Sequence, residues 1–326
     1  MHPFKIVQPA NSKEAIAMMN GSTSKFIGGG TNLVDLMKMI IEKPERLIDI
    51  NKLDLKKIET GRNGSMIIGA LVKNSDLAYH PTTRKAYPLL SEAILAGASG
   101  QLRNMASTAG NIMQRTRCWY FYDTAAPCNK RNPGSGCSAI SGYNRMHAVL
   151  GTSAQCVATH PSDMCVALAA LDAIIHVQSA TGERTVAFAD FHLLPGDTPN
   201  KEHGLQPGEL ITHIEIPALS FAKHSTYLKI RDRSSYEFAL VSAAVALDIS
   251  NGTIRNARIA LGGVGSKPWR ASGAEQLLKG QKAGTEAFKA AAAEAMKDAK
   301  PLKDNAFKIE LAKRNIVAAL STIKEA

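Results

Sequence analysis

"KFIGGGTNLVDLMK", residues 25–38, sets Gly28, Gly29 and Gly30 between an apolar strand pattern and an amphipathic helix pattern. Glycine lets backbone N–H groups approach a phosphate with no Cβ in the way, and the start of the following helix favours negative charge. Thr31 and Asn32 add side-chain donors. The spacing is not G-x-G-x-x-G, so the stretch does not point to a nicotinamide-binding Rossmann site. Glycine is common in strand-to-helix turns, and the loop gains meaning from a second one. That is "LRNMASTAGNIMQ", residues 102–114, which offers Ser107, Gly110 and Asn111 in the same style. Two such loops are expected to grip the two ends of a dinucleotide.

Working outward, residues 1–58 alternate strand and helix: "FKIV", "SKEAIAMMN", "SKFIGG", "NLVDLMKMI" and "RLIDI". This reads as a small α/β unit. Residues 59–219 form a second unit, from "SMIIGALVKNSDLAYH" through the helix "YPLLSEAILAGAS" to the strands "AIIHVQS" and "LITHIEIP". A turn-rich link near "PALSFAKH" leads into residues 220–326, where "STYLKIRD", "FALVSAAVALDI" and "IRNARIALGGV" alternate as strands before the closing helices. "KAGTEAFKAAAAEAMKDAK" reads as an exposed amphipathic helix. The fold class expected is α+β.

With 326 residues and 45% hydrophobic content the chain can bury a large core. The net charge of +11 and pI near 9.4 raise nucleic acid as a partner. Scattered Lys and Arg and an aromatic share of 6% argue against it, and the basic surface is expected to dock on an acidic partner instead. No apolar run reaches the roughly 20 residues of a membrane helix, and "MHPFKIVQPANSKEA" reads without a leader.

"RTRCWYFYDTAAPCNKRNPGSGC", residues 115–137, interrupts the second unit. With Cys156 it gives the spacing C-x9-C-x8-C-x18-C over Cys118, Cys128, Cys137 and Cys156, in an insertion of about residues 115–158. Thiolates bind soft metals, and a loop without regular structure can wrap four of them round one centre. The short C-x2-C knuckles of zinc sites are missing, which favours an iron–sulfur cluster; zinc and purely structural roles stay open on spacing alone. Five cysteines, an odd number, do not suit a closed disulfide framework. Cys165, in the apolar run "DMCVALAALDAII", is expected to be core.

Together the Gly-rich loop, "LRNMASTAGN", the Cys-rich stretch, "ATHPSDM", "KIRDRSSYEFALVS" and "LGGVGSKPWR" resemble the FAD-binding medium subunits of the xanthine oxidase family of molybdenum hydroxylases. The resemblance spans nearly the whole chain and is nearest the aldehyde-oxidising, bacterial periplasmic branch. It implies a two-part FAD-binding domain of the vanillyl-alcohol-oxidase/PCMH type followed by an α+β domain with an antiparallel sheet and helices. It implies that Phe26, Ile27, Gly28, Gly29, Gly30, Thr31, Asn32, Leu33, Ser107, Gly110, Asn111 and Ile211 hold FAD, with Asp163 an acidic contact and Lys229 a basic one near the flavin. It also implies a [4Fe-4S] cluster on Cys118, Cys128, Cys137 and Cys156, since a subset of the family carries such an insertion.

The partners implied are a large subunit with molybdopterin, a small subunit with two [2Fe-2S] clusters, and an external electron acceptor that reoxidises FAD. The expected location is the periplasm, by co-export with a partner that bears a twin-arginine signal. The cluster is expected to be mainly structural or potential-tuning. Alternatives are the FAD subunit of a related molybdenum hydroxylase, acting on aromatic acyl-CoA or N-heterocycles, and a non-catalytic metal-binding assembly module.

Overall fold

The computed structural model describes residues 1–19 and 21–325, with side chains to residue 323. The first sheet joins β1 (Lys5–Val7), β2 (Ser24–Ile27) and β3 (Arg46–Asp49) in the order β1-β3-β2, all parallel. The helices Ser12–Ala17 and Leu33–Lys38 make the crossovers that parallel pairing requires. Because β2 lies at a sheet edge and ends at Ile27, the Gly28–Asn32 turn opens at the carboxyl end of the strands.

The second sheet joins β4 (Ile58–Thr60), β5 (Met66–Gly69), β6 (Ile174–Ser179), β7 (Gly182–Ala187) and β8 (Leu210–Ile216) in the antiparallel order β4-β5-β8-β6-β7. Its edge strand "GERTVA" is almost wholly solvated, so no apolar alternation marks it in the sequence. The third sheet joins β9 (Ser225–Ile230), β10 (Val241–Ser250), β11 (Thr253–Gly262) and β12 (Trp269–Arg270) in the antiparallel order β12-β11-β10-β9.

β10 explains the near-continuous apolar run "VSAAVALDI". Side chains alternate across a strand, so Ala244 and Ala246 enter the core shared with the second unit, while Ala243, Val245 and Leu247 face the C-terminal helices. Both faces are covered, and polarity does not alternate. The helix Thr285–Ala295 buries Phe288, Ala291, Ala292 and Ala295 in that second core. The amphipathic helix expected at this place is therefore a core element on its apolar side and solvated only on the other.

The helix Asp163–Ala170 is buried along its whole length and packs against β10 and β11. A helix apolar all round belongs inside, and Cys165 is accordingly fully enclosed. Ser162 caps it by accepting from the Cys165 N–H at 3.0 Å.

Candidate functional site

A cleft of about 950 Å³ opens where the first sheet meets the second, and Phe26 to Leu33 all line it, with Ser107, Gly110 and Ile211. Gly30 has φ +71°, a left-handed turn that brings the chain into the helix Leu33–Lys38. The first and second loops lie back to back. A Cβ on Gly29 would stand 2.0 Å from the Met105 carbonyl oxygen, and one on Gly28 3.0 Å from Ser107 Oγ. The sequence reading ascribed Gly29 to phosphate approach; the crowding partner in the structure is the second loop's own backbone. Asn32 Oδ1 accepts from the Arg115 N–H at 2.9 Å, which ties the Gly-rich turn to the start of the insertion.

Asn111 does not line the cleft. Its Oδ1 accepts from Ser162 Oγ at 2.5 Å and from Gln114 Nε2 at 2.9 Å, so it fastens the second loop to the cap of the buried helix. Ser107 Oγ likewise accepts from the Gly110 N–H at 3.3 Å and shapes its own turn.

A second cavity of about 410 Å³ carries Asp163, Cys118, His147, Phe238 and Ser242 on its walls, and it shares Thr159 and His160 with the cleft. The two cavities thus adjoin at Thr159 and His160, and the larger is of a size that takes a small-molecule cofactor. Lys229 lines neither cavity. Its Nζ lies 2.8 Å from Asp163 Oδ2 and donates to the Ala96 carbonyl at 3.1 Å, with side-chain exposures of 4% for the lysine and 7% for the aspartate. Tyr227 donates to Asp163 Oδ1 at 2.5 Å. Lys229 is neither solvated nor exposed to the cavities, and its charge reaches a ligand only through Asp163.

Sequence reasoning missed the polar wall of the cleft. Arg115 Nη1 meets Glu42 Oε1 at 2.7 Å, its Nε meets Glu202 Oε2 at 2.5 Å, and Lys130 Nζ meets Glu202 Oε1 at 2.9 Å. Burial alone would raise the Glu202 carboxyl, but Lys130 and Arg115 hold it below the ordinary carboxylate range. Arg115 and Lys130 belong to the Cys-rich insertion, but Glu42 and Glu202 lie far from it on either side in the sequence, so no linear pattern could have assembled the four.

His160, Cys165 and His192 also converge, with ligand-type atoms within 4.8 Å of one another. His192 Nε2 sits 3.0 Å from the Ile112 carbonyl, which fixes the proton there. His160 Nδ1 accepts from the Ser162 N–H at 3.4 Å, leaving the proton on its buried, unpartnered Nε2. Burial holds the His160 ring well below its usual pKa and hence neutral. His160 Nε2 is therefore a buried hydrogen-bond donor rather than a metal-binding lone pair.

Of the four insertion cysteines, Cys118 lines the smaller cavity and Cys156 the cleft. Cys118 and Cys128 pack with Leu36 and Phe121, and Cys128 pairs with Cys137 as antiparallel backbone neighbours. Cys118 feels the charges of Cys128 and Cys156, and Cys156 those of Cys137 and Cys128. Burial pushes the Cys118 thiol up to about 12. No three of these four thiols come within 4.8 Å of one another among the described residues. A single tetrahedral zinc would need its sulfurs about 3.8 Å apart, given Zn–S bonds of about 2.3 Å. The donor set, four soft sulfurs set more widely, fits a cluster better than one ion.

The insertion also has a scaffold of its own. Arg131 donates to the carbonyls of Tyr120 at 2.9 Å and Phe121 at 2.8 Å and also bonds Ala126, while Asn129 links Gln155 and Gly136. Thr116 Oγ1 donates to the Thr159 carbonyl at 3.0 Å.

This fold and these cavities are those of a flavoprotein subunit, and the comparisons with known proteins agree. Residues 2–219 match the family described as "FAD binding domain in molybdopterin dehydrogenase", and residues 226–322 match "CO dehydrogenase flavoprotein C-terminal domain". The chain belongs to the FAD-binding medium subunits of the xanthine oxidase family, which bind FAD. It is 50% identical over 312 residues, 95% of this chain and 94% of the other, to the aldehyde oxidoreductase FAD-binding subunit PaoB of Escherichia coli (strain K12). It is 28% identical to the glyceraldehyde dehydrogenase medium chain of Sulfolobus acidocaldarius, over 94% of this chain and 92% of that one. The carbon monoxide dehydrogenase structure from Hydrogenophaga pseudoflava superimposes with a TM-score of 0.77 at 26% identity, covering 99% of this chain and 98% of that chain.

Proposed function

We propose that this chain is the FAD- and [4Fe-4S]-carrying electron-transfer subunit of a heterotrimeric molybdenum-dependent aldehyde oxidoreductase. It takes electrons from [2Fe-2S] clusters of a small subunit, after aldehyde oxidation on a large molybdopterin subunit, and gives them to an external acceptor. The observation that carries the reading is the pair of cavities that share Thr159 and His160 in their walls, with Cys118 lining one and Cys156 the other. The 50% identity to an aldehyde oxidoreductase subunit supports the substrate class.

FAD, when bound, supplies the exchange between one-electron and two-electron transfer. The chain's own residues supply the setting. Gly28 to Gly30 present backbone at the cleft, His160 lines both cavities, and Glu42, Arg115, Glu202 and Lys130 form a polar wall of the cleft. In the smaller cavity Asp163 is held in a set orientation by Lys229 and Tyr227, on a wall that also carries Arg117, Glu237 and Ser242. In this reading the chain alone does not oxidise aldehyde, because the molybdopterin lies on the large subunit. We place the complex in the periplasm, and fractionation of intact cells tests that.

The absorption spectrum and iron content of the purified chain test the cofactors. Flavin bands with a broad iron–sulfur shoulder, and about four irons per chain, are expected; Cys128→Ser loses the irons and keeps flavin, and Cys165→Ser keeps both. Flavin without iron in the unaltered chain would overturn the cluster, and equal iron loss in both variants would mean another ligand set.

A further inference from the structure

Lys308 stands near the start of the last helix, Phe307–Glu325, with its residue wholly enclosed at 0% exposure. Its Nζ donates to the carbonyl oxygens of Met146 at 3.1 Å, His147 at 3.1 Å and Gly263 at 2.7 Å. An ammonium has three N–H donors, whereas a neutral amine has two. Three carbonyl acceptors therefore call for the charged form, even though burial, with Arg145 nearby, pushes the group down to about 7. The neighbouring charge that Lys308 feels is of its own sign. A buried ammonium satisfied by neutral carbonyls alone lacks the counter-charge that burial demands.

His147, whose carbonyl Lys308 holds, reaches the other way with its side chain. The residue is 2% exposed, and its Nε2 lies 3.1 Å from Cys118 Sγ. A ligating thiolate can only accept, so beside a metal-bound Cys118 this 3.1 Å contact is an N–H···S hydrogen bond donated by the ring. Thiolates around an iron–sulfur core leave the whole negatively charged, and more so by one unit after it takes up an electron. Hydrogen bonds to the sulfurs and local charge are among the quantities that set such a potential.

We propose that Lys308 is the buried counter-charge of the [4Fe-4S] cluster and His147 its N–H···S donor on the Cys118 side, and that together they hold the cluster's reduction potential up. This rests on the assignment of the cluster to Cys118, Cys128, Cys137 and Cys156. Both act as positioning residues, since they touch the ligand cysteine or its surroundings and not the iron. The arrangement also couples the last helix to the insertion, because Lys308 bonds the backbone of the residue that contacts Cys118.

The test is a redox titration of the assembled complex followed by electron paramagnetic resonance, reading the iron–sulfur signal that Cys128→Ser abolishes. Lys308→Met and His147→Phe are each expected to shift the oxidised-to-reduced ratio at fixed potential about tenfold toward oxidised, a midpoint lower by about 59 mV for a one-electron couple. Iron and flavin contents stay those of the unaltered complex, and His147→Gln, which keeps an N–H donor, returns toward its midpoint. An unshifted midpoint in both variants at full iron content overturns the proposal and leaves the cluster standing. Absence of any Cys128-dependent signal in the unaltered complex removes the cluster reading itself. If Lys308→Met fails to assemble, because three carbonyls are left unpaired, His147→Phe decides alone, since it keeps all three bonds.

Discussion

Gly29 carries more at the residue scale than its neighbours in the loop. With the Met105 carbonyl oxygen 2.0 Å from where its Cβ would be, even alanine forces the first and second loops apart. Gly29→Ala and Gly29→Val are therefore both expected to lose FAD and to lower the melting temperature. A ratio of flavin to protein absorbance unchanged in the alanine variant would show that the loops can separate without cost. Lys229 gives a prediction of another kind. Removing one member of a buried pair leaves the other charge uncompensated, at a cost of about 3–5 kcal/mol. Lys229→Met is expected at the lower end, about 3 kcal/mol in urea unfolding, because Tyr227 still donates to Asp163. Adding Asp163→Asn should recover part of the loss, and a double variant no better than the single one would mean the pair is not what stabilises the site.

The Cys-rich insertion is the element with the most at stake. Its regular structure is confined to the four-residue helices Trp119–Tyr122 and Ser138–Ser141, so side chains must satisfy its backbone. Arg131 does this for several carbonyls at once. Arg131→Leu is expected to leave residues 119–131 open to chymotrypsin well before the sheets are cut, with the cysteines unchanged. Protection equal to that of the unaltered chain, measured by mass spectrometry of the fragments, would show that the cysteine site alone orders the loop. The helix Asp163–Ala170 behaves differently. It is held by burial on all sides, and its capping Ser162 also reaches Asn111, so Ser162→Ala disturbs the second loop as well as the helix start, at about 1 kcal/mol for the cap alone.

Stability of the whole molecule should depend on pH through its buried histidines. Burial lowers His192 to about 4 and His160 well below 6.5, so both stay neutral in the fold. As pH falls below 6.5 the unfolded chain takes up protons that the folded chain refuses, and stability declines by up to about 1.4 kcal/mol per pH unit for each such group. For His192 the decline ends near pH 4, where the folded ring also titrates. Urea midpoints of the purified chain at pH 7, 6 and 5 check this, and His192→Phe should flatten the curve.

The sequence by itself determined those features that follow from local pattern. The α/β character near the N-terminus was legible because apolar strands alternate with helical stretches, and β9, β10 and β11 were legible as strands from their β-type runs, their antiparallel pairing being what the family resemblance implied. The Gly-rich turn and the insertion were legible because glycine and cysteine have few other reasons to cluster as they do. Tertiary structure decided the rest. β7 is an exposed edge whose pairing depends on β6, and the Ala-rich helix is core because the third sheet lies under it. Glu42 and Glu202 come from segments far from the insertion that carries Arg115 and Lys130, and Lys229 and Asp163 or Lys308 and His147 are likewise from separate segments. Periodicity acts over a few residues, whereas burial of a charge is settled by whatever long-range packing brings against it, and that packing is what made these residues a site.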